Sequence, residues 1–328
     1  ANYPSQLLSK GLFWLGDRIN DFLIYVDCHD TVRDMIVNGI YKVLAWVVSV
    51  MLPPMAIFFP LFTLLEDLGY LPRIAFNLDK YFRRSGACGK QALTMAMGFG
   101  CNAAGVTGCR IIDSPRERLI AILTNNFVPC NGRFPSLISI ITMFFTASAA
   151  GAMRSGLSAL ILLVVILGGV LMTLFVSWIL SKTVLKGVPS SFALELPPYR
   201  KPQIGKVIVR SIFDRTIFVL GRACAVAAPA GLLIWCLANF TVSGETILYH
   251  LSEFLQPLGN ILGMDGVILL GFILGFPANE IVIPVIIMCY MSSGTIMEME
   301  NMHALKLLLT DNGWNWVTAL CTMIFILF

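Results

Sequence analysis

The chain has 328 residues, of which 57% are hydrophobic and 13% charged, and its mean hydropathy is +0.80. A soluble domain carries about a quarter charged residues, so the composition excludes an ordinary soluble protein and implies helices in a lipid bilayer. The formal charge of +4 forms no nucleic-acid patch, and nine Cys without paired spacing exclude a disulfide framework.

Residues 1–41 read as an extracytoplasmic juxtamembrane segment, an amphipathic interfacial helix rich in acids such as Asp17, Asp21 and Asp34. The opening ANYPSQLLSKG has neither initiator Met nor signal-peptide pattern, and the closing IFILF lies in an apolar run, so both ends read as cut. Runs 43–65, 134–153, 155–181 and 223–244 are apolar and of spanning length, which takes about 20 residues. The basic loops 66–90 and 182–222 belong in the cytoplasm, and the stretches near 150, 245–262 and 291–302 belong outside. On that basis 42–65 descends into the cytoplasm and 91–110 enters and leaves from that side. Residues 119–147 then climb with a break near Pro129 and Gly132, 157–181 descend and 216–240 climb. A second re-entrant segment, 264–288, starts from outside, and 304–328 descend as one crossing. The expected organisation is a first gate repeat over 42–182, a cytoplasmic linker over 183–215 and a second gate repeat over 216–328.

The two re-entrant stretches share a pattern. GFGCNAAGVTGC occupies 98–109 and GFPANEIVIPVIIM occupies 275–288. At an offset of 177, Gly86, Gly89, Gly98, Phe99 and Asn102 fall on Gly263, Gly266, Gly275, Phe276 and Asn279. An odd number of crossings separates the copies. The expected fold class is therefore an all-α polytopic membrane protein with an inverted-topology repeat and two broken-helix gate regions that approach each other near the midplane.

Chemistry concentrates at the breaks. Cys101 with Asn102, and Cys130 with Asn131, offer sulfur and amide oxygen, a set that suits a divalent transition metal. Asn279 and Glu280 mark the second gate. Glu280 has no Lys or Arg between 223 and 305, and a carboxylate at depth needs a cavity, a partner or an ion. Glu66 and Asp67 end the first span as pathway or interfacial acids. Arg133 is expected to pair with an acid, while Gly98, Gly100, Gly275 and Pro277 shape the gates. His29, His250 and His303 read as surface residues, and Cys109, Cys224, Cys236, Cys289, Cys321 and the Met-rich stretches read as packing. No catalytic triad can be assembled, so the chain is read as no enzyme. No GxxxxGK[ST] occurs, so no nucleotide is bound by these residues. A metal permease, a nucleoside-type or other organic-solute transporter, and a non-transporting scaffold all fit the composition.

The segments GFGCNAAGVTGCR, EDLGYLPRIAFNLDKYFRRSGACGK, NNFVPCNGRFP and GFPANEIVIP resemble the membrane domain of the ferrous iron transport protein B family, from about residue 40 to the end. The resemblance implies Fe(II) as the transported ion and a bacterial or archaeal cytoplasmic (inner) membrane. It also implies a GTP-binding domain as partner, in cis or in trans. The family's GCNVP stands here as GCNAA, which removes a Pro at Ala104. A homo-oligomer is allowed by small residues such as Gly168 and Gly169.

Overall fold

A computed structural model describes residues 2–147, 151–187, 205, 209, 211–242, 244–276, 278–292, 294 and 302–327. Pro277 and much of the expected linker lie outside the described residues. The described chain is mainly helical, and its one sheet is a hairpin of two-residue strands, β1 (Thr241–Val242) with β2 (Glu245–Thr246).

Helix α1 spans Asn2–Tyr25, and α2 runs Asp30–Asp67 through a π-helical stretch at Met35–Tyr41. The boundary expected at 41/42 therefore falls inside a continuous helix. Next come α3 (Tyr70–Arg84), α4 (Lys90–Gly100), α5 (Asn102–Gly108), α6 (Pro115–Thr124), α7 (Phe134–Phe145) and α8 (Gly151–Lys182). The remainder is α9 (Phe218–Asn239), α10 (Ile247–Ile261), α11 (Gly266–Leu274), α12 (Asn279–Tyr290), α13 (Met302–Asp311) and α14 (Trp316–Leu327). Among the described residues, α2, α9 and the Met153–Lys182 part of α8 are each long and apolar enough to cross a bilayer. The chain is thus a helical membrane protein.

Residues 304–328, expected as one crossing, are not one continuous helix. The chain turns at Asn312–Asn315, where Gly313 has φ +86° and Asn315 caps α14 by accepting the Val317 and Thr318 N–H groups at 2.9 Å. Two expected loops are helices instead: α3 lies in the basic stretch 66–90, and α10 in the stretch 245–262.

The helices sort into two compact units. The first comprises Ala1–Pro53, Ser139–Ala150 and Ile217–Phe325. Its core joins Val43, Val47, Ile234, Leu270, Ile281 and Met288, with a second cluster around Ile268, Ile286, Leu309 and Trp314. The second comprises Pro54–Ile138, Gly151–Thr216 and Ile326–Phe328, and its core joins Phe82, Ala87, Met95 and Val128.

Each unit contains one amphipathic helix that turns back onto an apolar helix, and the local geometry repeats at the offset of 177. Helices α3 and α10 are both 15 residues long. The turn after each needs a left-handed residue, supplied by Gly86 and Gly263, both at φ +73°. Beyond the turn, Gly89 N–H donates to Asp79 Oδ1 at 2.8 Å, and Gly266 N–H donates to Gln256 Oε1 at 2.8 Å. A Cβ on Gly89 would overlap the Ala75 carbonyl, and one on Gly266 the Ser252 carbonyl. The bend between α10 and α11 is 108°.

Candidate functional site

The helix breaks follow from local sequence. Helix α4 ends in Gly-Phe-Gly, Cys101 is fully extended (φ −154°, ψ 124°), and α5 restarts at Asn102. In the other unit α11 ends before Gly275, Ala278 is extended (φ −153°, ψ 108°), and a 3-10 turn at Asn279–Ile281 restarts α12. Cys101 and Ala278 are 177 positions apart, as are the close contacts beside them. A Cβ on Gly105 would lie 2.9 Å from Gly98 Cα, and one on Gly275 would overlap the Val282 side chain. Gly98/Gly105 and Gly275/Val282 are thus equivalent crossing points of the two halves of each gate. A Cβ on Gly100 would overlap the Phe58 ring, which stacks on Phe62 with centroids 5.7 Å apart.

At the first gate the freed polar groups are collected by Asn125 and Asn126, which the sequence did not single out, together with Asn102 and Arg133, which it did. Asn125, 1% exposed, donates through Nδ2 to Asn102 O at 3.3 Å and Asn102 Oδ1 at 3.1 Å. Asn102 Nδ2 in turn donates to Asn126 Oδ1 at 3.4 Å. The guanidinium of Arg133 donates to Asn126 Oδ1 at 3.0 Å, to Asn126 O at 2.9 Å and to Leu327 O at 3.2 Å. Arg133 belongs to the irregular segment that separates α6 from α7, and its own N–H donates to Cys130 O at 2.9 Å. Asn102, Asn125, Asn126 and Arg133 therefore tie the two breaks of this unit together. The signal was the Asn-Asn pair at 125–126, two amides in an otherwise apolar stretch.

The nominated residues divide. Cys101 is half-buried at the first break and Cys130 is buried beside the second, while Asn131 occupies the following turn, half-buried and outside the amide network. Glu66 and Asp67 are exposed at the end of α2. In the other unit, Asn279 is exposed and Glu280 half-buried in the 3-10 turn. Among the described residues no three His, Cys, Asp or Glu side chains converge as a metal-binding group. No disulfide joins any of the nine Cys. His29 caps α2 by accepting the Thr31 N–H at 3.3 Å, and His250 Nε2 lies 3.0 Å from Val242 O on the hairpin. Gly169 packs against the Phe127 carbonyl inside its unit, while Gly168 has open space around it.

These features define a class: a polytopic helical membrane protein in which apolar helices are interrupted by extended residues and restarted. Two family models match the chain, one described as nucleoside recognition over residues 48–144 and one as the ferrous iron transport protein B C terminus over residues 162–214. The chain is 31% identical over 261 residues to the Fe(2+) transport protein A/Fe(2+) transporter FeoB fusion protein of Porphyromonas gingivalis, covering 79% of this chain and 29% of that protein. It is 31% identical over 272 residues to the Fe(2+) transporter FeoB of Staphylococcus aureus, and 29% identical over 271 residues to that of Methanocaldococcus jannaschii. Those alignments cover 80% and 78% of this chain and 38% of each relative. The chain belongs to the ferrous iron transport protein B family and corresponds to its membrane domain. It spans 29% to 38% of the length of these relatives. No solved structure matches the chain.

Proposed function

We propose that the chain forms the permease of a ferrous iron transporter in a bacterial or archaeal inner membrane, and that Fe(II) passes between its paired broken helices. The observation that carries the reading is the pair of extended residues, Cys101 and Ala278, that interrupt equivalent apolar helices. Irregular backbone at membrane depth survives where it is buried in protein or lines a watery path. The recurrence of turn, cap and crossing point at one offset supports an inverted-topology repeat in which the breaks face each other. Fe(II) meets the sulfur atoms of Cys101 and Cys130 and the amide oxygens of Asn102 and Asn131 at one gate, and Asn279 and Glu280 at the other. A sparse mixed set of soft and neutral ligands holds a transition metal weakly, as passage requires. The relatives are named as Fe(2+) transporters, which supports the choice of ion. A GTP-binding domain, in cis or in trans, is the partner we assign for control of the gates.

A second reading, a nucleoside-type transporter, is favoured by the family model over residues 48–144 and by the Phe58–Phe62 stack beside Gly100. Against it, Asn125 Nδ2 and the Arg133 guanidinium, donors that a base and ribose would need, already bond to protein oxygens. Purified protein in proteoliposomes is tested with Fe(II), Zn(II), Mn(II) and uridine. The expected result is saturable uptake of Fe(II) and none of uridine. Uridine uptake without metal uptake sinks the metal reading, and no uptake of any solute favours a scaffold.

A further inference from the structure

In the second unit a seam of buried polar side chains leads away from the first break. Helix α8 presents Thr173, Ser177 and Ser181 at four-residue spacing to α4 and α6. Thr173 Oγ1 lies 3.4 Å from Thr124 O, and Gln91 Nε2 donates to Thr124 Oγ1 at 2.8 Å and to Ser177 Oγ at 3.2 Å. Thr124, Thr173 and Ser177 are all 0% exposed, and Gln91 is 1% exposed. Such a stripe is ordinary glue between membrane helices, and alone it assigns nothing.

Two oxygens distinguish this seam. Gln91 Oε1 and Asn125 Oδ1 are buried acceptors with no hydrogen-bond partner among the described residues. Both amides spend their nitrogens on protein oxygens, so only a donor or a cation satisfies what remains. Gln91 and Gly98, against which Asn125 packs, are seven residues apart on one face of α4, about 10 Å along the helix. Seven residues before Thr124 on the same face of α6 stands Glu117, 2% exposed. The neutral oxygens of the seam therefore end at a buried carboxylate.

We propose that this seam is the inner leg of the cation path, along which partly dehydrated Fe(II) moves from Cys101 and Asn102, past Asn125 Oδ1 and Gln91 Oε1, to Glu117. The inference rests on the transport reading above. Carbonyl-type oxygens replace hydration water without holding a divalent ion tightly, and multiple weak sites favour passage. A terminal carboxylate supplies the harder, charged ligand that such a cation prefers at its last stop.

The test uses the chain in proteoliposomes, with Fe(II) kept reduced and its entry read by quenching of internal calcein. Gln91→Leu removes the oxygen and its amide partner atoms, whereas Gln91→Glu keeps an oxygen and adds charge. Uptake by Gln91→Leu is expected to fall about tenfold, with its unfolding midpoint in detergent within about 4 °C of the parent. Gln91→Glu is expected to keep uptake and lower the KM for Fe(II). Parental uptake by Gln91→Leu overturns the seam, as does parallel loss of uptake and midpoint in both variants, the signature of helix glue. Should Gln91→Leu fail to fold, Ser177→Ala is read by the same criteria. An inert parent chain would fail the transport reading itself, a result separate from an active parent whose variants match it.

Discussion

Asn125 sits where a side chain must replace the hydrogen bonds that a broken helix has given up, and its amide occupies the space beside Gly98 and Gly105 that a Cβ on either would need. Its partners were not legible in sequence, because Asn in an apolar run signals a need for a partner and not the partner's identity. The breaks beside Cys101 and Cys130 were legible, but sequence did not reveal that Asn126 and Arg133 join them. Ser at position 101 or 130 keeps size and removes most soft-ligand character. Each Cys→Ser variant is therefore expected to lose Fe(II) uptake while its thermal midpoint stays near the parental value. Unchanged uptake in both single variants and the double variant returns these thiols to packing. Glu280 is half-buried in the 3-10 turn of the second gate, where a carboxylate at depth attracts a cation. Glu280→Gln keeps shape and hydrogen bonding while deleting the charge, so Fe(II) flux should drop with little change in expression or midpoint. Parental flux in that variant leaves the second gate with a structural part only.

The turn between amphipathic and apolar helix is the element that repeats most closely. Carbonyl oxygens of Ala75 and Ser252 press on Gly89 and Gly266, and backbone oxygens within a helix cannot swing aside as a side chain would. Gly89→Ala and Gly266→Ala are each expected to force the helices apart and to destabilise by about 1–3 kcal/mol, the usual range for overpacking. Thermal unfolding in detergent reads the loss, and a midpoint unchanged in both variants shows that the turns tolerate a methyl group. The glycines of this element were legible at the offset of 177, yet α3 and α10 were read as loops. The reason is physical: charge and aromatic residues such as Lys80, Arg84, Tyr249 and Phe254 place these segments outside the apolar slab, and an interfacial helix has the composition of a loop. The interruption of 304–328 was missed for the opposite reason. Its apolar halves dominate, although Asp-Asn-Gly followed by Asn315 carries both a turn and a cap.

For the whole molecule the open question is direction, because local geometry repeats whether or not the copies are inverted. Counting crossings from basic residues puts α3 on the cytoplasmic side and α10 outside. Helix α3 carries Arg73, Lys80, Arg83 and Arg84, which suit an anionic inner leaflet, while α10 has no Lys or Arg and carries Glu253. Asn77 and Phe254 are equivalent positions, 177 apart, and both are exposed. Asn77→Cys and Phe254→Cys, each compared with the parent chain and its native thiols, report the side on which each helix lies. In sealed right-side-out vesicles an impermeant maleimide should add to the Phe254→Cys variant and spare Asn77→Cys, and in inside-out vesicles the pattern should reverse. Labelling of both from one side would make the repeat parallel. The gates would then enter the bilayer from the same surface and could not meet from opposite sides, so the path proposed for Fe(II) would have to be abandoned along with the inverted repeat.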